Sequence, residues 1–212
     1  MSIALERRTS NYILIFALLG IIFYFLHVVL GTINYPGYDS LSQPVSDLTG
    51  DNSPSKVIAR VFSSFYGVFS SLVSIGLIYS FRGEKNKLLR FGVYFLSIMY
   101  LVSAIGYAIF PLASSNDITD IQNIMHIVVT GLVVFLTVIA LSLLIISFFK
   151  SKLRLYFIIS LITFLVLMSG ALLMNAAPVE YFGLFERFSV YSVVIYLGVI
   201  SYYNYDYHKK VG

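Results

Sequence analysis

Seven residues in a chain made mostly of hydrocarbon side chains have the types that do chemistry: His27, Ser46, Asp47, Arg60, His126, Glu186 and Arg187. An ionisable or strongly polar group at membrane depth is costly, so each marks a functional site by default. His126 shares a helical face with Gln122, Thr130 and Thr137, at spacings of four, four and seven residues, and that face should point into a bundle. If the chemistry is acid/base, His126 is the proton carrier, Asp47 or Glu186 orients it, and Arg60 or Arg187 holds a phosphate. His126, Asp47 and Glu186 are thus the catalytic candidates. No G-x-S-x-G elbow is present, so Ser42 and Ser46 are nucleophile candidates by proximity alone. His27 counts to a depth similar to His126, and Asp39, Asp47 or Glu186 could supply a third metal ligand. Without HExxH or a clustered HxH, however, the expectation is no metal and no cofactor. Each residue also has a structural reading: Arg60 snorkels, His126 bonds a neighbouring helix, and Glu186 and Arg187 sit at a helix mouth.

The elements that must position these residues follow from hydropathy. Hydrophobic residues make up 58% of 212 positions against 11% charged, which suits a polytopic, all-α membrane protein with residues 1–212 in one domain. Six apolar runs are spans: Tyr12 to Ile33, Val57 to Phe81, Phe91 to Leu112, Ile121 to Phe149, Leu153 to Asn175 and Leu184 to Tyr203. The links "RGEKNKLLR" and "KSKLR", with Arg7, Arg8, Lys209 and Lys210, place eleven of fourteen basic residues on one side. By the positive-inside rule that side, with both termini, is cytoplasmic in a multi-pass protein of the cell membrane. The other side holds Asp39, Asp47, Asp51, Asp117, Asp120, Glu180, Glu186 and all five prolines. "YYNYDYHKK" reads as an interfacial tyrosine belt followed by anchoring lysines.

The outer link "NYPGYDSLSQPVSDLTGDNSPSK", residues 34–56, is the longest polar stretch. Asp39 or Ser40 can cap a short helix that Pro44 enters and Gly50 ends, with Leu41, Val45 and Leu48 on one side. Such a segment would lie on the bundle mouth as a partial lid. Ser53 and Pro54 are placed to start the second span. A weak internal repetition pairs Gly67 and Gly106 of one out-in-out hairpin with Gly131 and Gly170 of the next.

The composition also excludes. There is no cysteine, hence no disulfide, thiol nucleophile or thiolate site. No lysine falls inside a span to form a retinal Schiff base, no basic solvated domain exists to read nucleic acid, and no span is evidently broken as in a carrier.

"YPGYDSLSQPVSDL" after the first span, with Ser42, Ser46, Asp47 and Leu48 as S-x-x-x-S-D-L, His126 heading span four, and Gly183-Leu184-x-Glu186-Arg187 opening span six together resemble a family known as domain of unknown function 998. The resemblance covers nearly the whole chain and implies a compact helical bundle with no established activity. Three functions stay open: an outward-facing polar pocket that binds a lipid headgroup or small polar ligand, a non-catalytic structural or regulatory partner of another membrane protein, and a hydrolase or transferase acting on outer-leaflet lipid. The ligand-binding set is His27, Ser46, Asp47, Arg60, His126, Glu186 and Arg187, and the expected partners are membrane lipids.

Overall fold

A computed structural model gives the fold and describes residues 3–113 and 119–211. Asp117 lies outside them. Six helices run α1 Ile3–Ile33, α2 Lys56–Ser80, α3 Lys87–Ile109, α4 Ile121–Lys150, α5 Arg154–Ala176 and α6 Phe182–Val211. All six are long and apolar enough to cross a membrane. Helices α1 and α6 outrun their apolar stretches, because backbone hydrogen bonding continues where hydrophobicity stops.

Consecutive helices pack as neighbours and α6 returns to α1, which closes a ring. Local chemistry sets where several helices begin. Asn86 caps α3 by accepting from the Leu88 and Leu89 N–H groups, and Asp120 caps α4 by accepting from Gln122 N–H. The start of α2 differs from expectation. Ser55 stands at the cap position, with Pro54 in the turn before the helix. The Ser55 hydroxyl donates instead to the Leu48 carbonyl at 3.0 Å, which ties the link to the helix start.

Two ends of the ring differ in how they are filled. At the end carrying both termini, Phe81, Phe148, Tyr156 and Tyr203 form an aromatic core with ring centroids 4.9–6.1 Å apart. The expected tyrosine belt is therefore one-sided: Tyr202 is exposed, but Tyr203 and Asn204 are buried, as a 3.6-residue period requires when one helix face looks inward. At the other end, residues 34–55 fold back over the helix ends. The helix within them is shorter than expected, one 3-10 turn at Val45–Thr49 with Pro44 before it and Gly50 after it. Val45 and Leu48 are buried as anticipated, whereas Leu41 is exposed. Leu48 seats on Gly31 of α1, where a Cβ would come within 3.1 Å of its side chain.

Candidate functional site

The residues at this linker end form three groups. The first is a strap between the linker and α6. Gly183 lies so close beneath the Gln43 carbonyl that a Cβ there would collide with it. Leu184 N–H donates to the Leu41 carbonyl at 2.9 Å. Glu186 takes the Val45 N–H at 2.6 Å. Arg187, 8% exposed, donates to the carbonyls of Ser40, Gln43 and Gly183 and to the Tyr38 hydroxyl, at 2.6–2.9 Å. Neighbouring helical residues diverge by 100°, but both reach the same linker because it crosses over the helix axis rather than along one side. Burial pushes the Tyr38 hydroxyl up to about 12, so it stays protonated and donates to the Pro44 carbonyl at 2.8 Å.

The second group ties the linker to α2 and α4. Asp51 receives Lys56 at 2.8 Å, Arg60 at 3.1 Å and Gln122 at 3.0 Å. The Lys56 ammonium, then Gln122 and Arg60, hold its carboxyl down at about 2. Arg60 also donates to the Thr49 carbonyl at 2.8 Å. Arg60 thus neither snorkels freely nor stands open to a phosphate but pairs with Asp51, a residue the sequence does not single out, because Asp51 is on the same linker turn that Arg60 reaches. Asp47, expected to orient His126, lies beside Gln43 and in the field of Arg187, and burial raises its carboxyl. Ser46 sits next to it, with its backbone facing Glu186. Asp39 closes its own turn, accepting from Leu41 N–H and the Ser42 hydroxyl, so Ser42 is committed locally.

The third group lies inside the ring. The shared face of α4 forms as anticipated: Gln122 reaches Asp51 and the Pro111 carbonyl, His126 Nδ1 lies 2.9 Å from the Phe110 carbonyl, and Thr137 is buried. The carbonyl can only accept, so Nδ1 carries the hydrogen and donates to it. The described residues that contact the His126 ring are therefore Phe110 and the Tyr107 ring 5.0 Å away, and none of them is a carboxylate. Tyr107 donates to Thr130 at 3.1 Å. Glu186 lies within electrostatic reach of Tyr107 and of Tyr24, which in turn feels Tyr66 and Tyr191. Tyr24, Tyr66, Tyr107, Tyr191 and Glu186 thus form one electrostatically linked group drawn from four helices, with His126 of α4 beside Tyr107. His27 borders it but is 4% exposed, edge-on to Tyr24 at 5.2 Å, and neither ring nitrogen has a hydrogen-bond partner. Among the described residues no three His, Asp or Glu side chains converge where a metal could sit.

The interior tyrosines are what residue-by-residue reading missed. Tyr100 and Tyr107 are seven apart on one face of an apolar run, and a tyrosine deep in a span must place its hydroxyl somewhere. That signal was available.

The fold is that of an all-α, multi-pass membrane protein whose first link is tied by hydrogen bonds to α2, α4 and α6. Residues 18–203 match the family described as protein of unknown function DUF998, and the chain belongs to that family. No curated protein and no solved structure matches it.

Proposed function

We propose that the chain is a cell-membrane protein with cytoplasmic termini and an outward-facing polar pocket, partly lidded by residues 34–55, that binds a lipid headgroup or small polar ligand bearing an ammonium. One observation carries this reading: Glu186, in the first turns of α6, has no salt-bridge partner among the described residues, while the adjacent Arg187 is spent on linker carbonyls and Arg60 on Asp51. A carboxylate held by link N–H groups, near Asp47 and tyrosine hydroxyls, complements a cationic hydrogen-bond donor. Phosphate capture by Arg60 or Arg187 is correspondingly less favoured, since either would first have to release the linker.

The enzyme reading is second, because His126 Nδ1 is bonded to the Phe110 carbonyl and not to a carboxylate among the described residues. The non-catalytic structural reading gains from the strap, in which Arg187 holds the first link to α6.

Thermal melting of the full chain in detergent tests the pocket. Ethanolamine and phosphatidylethanolamine micelles are expected to raise the melting temperature, and phosphatidylglycerol micelles to leave it unchanged. Glu186→Gln keeps an oxygen for the Val45 N–H, so it should melt near the parent yet lose the response. A parent that shows no response, or a variant that keeps it, ends the pocket reading. Turnover of the lipid by the parent, stopped in His126→Gln with the melting response intact, would establish the enzyme.

A further inference from the structure

Helices α4 and α5 meet at the termini end, where the rings of Phe149 and Phe157 lie 5.5 Å apart. Eighteen residues are five whole turns at about 3.6 residues each, so Gly131 stands on the Phe149 side of α4 and Asn175 on the Phe157 side of α5. Both are exposed, and a Cβ at Gly131 would meet nothing within 4 Å. The corresponding glycine of the other hairpin, Gly67, has Ala104 of α3 against it at 3.6 Å. The seam is closed at one end and open at the other.

The cause lies in what α5 leans on. Gly170 is packed so tightly on Ser189 and Phe185 of α6 that a Cβ would collide, and the Ser189 hydroxyl donates to the Leu167 carbonyl at 2.9 Å. Beyond Gly170 no residue of α5 is buried. Thr130 links this exposed flank of α4 to Tyr107 of α3. Thr130 and Thr137, seven residues apart, differ by only about 20° around α4. Thr137 is 1% exposed, whereas Thr130, on the same inward face and bonded to Tyr107, is exposed. The rim is apolar, with Ile127 at 62% and Leu172 at 65% exposure.

We propose that the gap between α4 and α5 is a lateral portal through which a membrane lipid with an ammonium headgroup reaches the interior, its acyl chain remaining in the seam; this rests on the pocket reading above. An opening that is apolar at its rim and polar within matches an amphiphile. A water-soluble amine would have to come past the linker, where Val45 and Leu48 are buried and Glu186 is bonded to Val45. A helix of a second copy would cover the rim but bring no charge to Glu186. The ammonium lipid satisfies both the apolar seam and the carboxylate.

The chain has no tryptophan or cysteine, and Gly131 faces open space, so Gly131→Trp should plug the portal without disturbing packing. The full chain, reconstituted in nanodiscs of equal phosphatidylethanolamine and phosphatidylglycerol, is analysed by native mass spectrometry for bound lipid. The parent should carry the ethanolamine lipid preferentially. Gly131→Trp should lower the bound fraction about tenfold, and the neighbouring membrane-facing Leu132→Trp should leave it unchanged. A photocrosslinking residue at Asn175, which plugs nothing, should label ethanolamine lipid over glycerol lipid. Undiminished selective binding in Gly131→Trp overturns the portal and leaves the pocket standing, whereas a parent without selectivity overturns both. Equal labelling of the two lipids from Asn175 shows bulk lipid in the seam, and a crosslink to a second copy shows a protein interface there; either result overturns the portal.

Discussion

Asp47 and Asp51 stand four residues apart on one short link, yet their surroundings act on them in opposite directions. Burial raises the Asp47 carboxyl, whereas Lys56, Gln122 and Arg60 hold that of Asp51 down at about 2. A carboxyl lowered in the folded state contributes stability above its unfolded value, here 3.8, and loses it as pH falls toward about 2. A raised one contributes below 3.8 and loses that contribution as pH rises through its folded value. Asp51→Asn should therefore narrow the melting-temperature difference from the parent as pH is lowered from 7 to 3. Its cost at pH 7 should be small, about 0.2–1 kcal/mol, because the ion pairs are part-exposed. Asp47→Asn should melt at or slightly above the parent at pH 7 and lose that advantage in acid. If Asp47→Asn proved the more destabilising of the two at neutral pH, the assignment of Asp51 as the linker's anchoring carboxylate would be wrong.

At the scale of elements, the linker and the start of α6 form one unit. Gly183 admits the Gln43 carbonyl, and Arg187 gathers Ser40, Gln43 and Tyr38 with a planar fork that a lysine ammonium cannot reproduce. Gly183→Ala forces a methyl against backbone, an overpacking that costs roughly 1–3 kcal/mol. Both Gly183→Ala and Arg187→Lys should speed amide hydrogen exchange over residues 38–45 while α3 and α4 exchange as in the parent. Gly131→Ala, facing open space, should change neither. Uniform acceleration across all six helices would mean that the strap supports the whole bundle instead of the link. This unit also shows where sequence reading stops. Apolar runs of span length make the six helices legible, and a period-four pattern makes the inward face of α4 legible. Nothing local says that "YDSLSQPV" and "GLFER", about 140 residues apart, are partners, because main-chain carbonyls have no residue signature. Arg187 therefore reads as a free cation when it is a bound one. Likewise Asp51 is one of several linker acids until the chain's return past Arg60 and Gln122 selects it.

For the whole molecule, the charge distribution argues the direction across the membrane. Eleven of fourteen basic residues lie at the termini end. Several cover aromatic rings there, Arg82 on Tyr79 at 4.1 Å, Arg8 on Tyr12 at 5.7 Å and Lys209 on Tyr205 at 5.9 Å, the arrangement of side chains that hold a helix at an interface. Removing or adding one span would scatter these cations over both faces, so the six-helix count and the orientation stand together. Single cysteines in this cysteine-free chain can decide it, provided they are placed where the fold tolerates them. Asn86 caps α3 and bonds Ser147, and Lys152 has φ 57°, so both are poor positions. Lys85, Ser151 and Asn52 are exposed and suitable. In intact cells an impermeant thiol reagent should label Asn52→Cys and spare Lys85→Cys and Ser151→Cys until the membrane is permeabilised. Labelling of Lys85→Cys and Ser151→Cys with Asn52→Cys protected would invert the protein. The linker would then face the cytoplasm, and the proposed pocket would have to take its lipid from the inner leaflet.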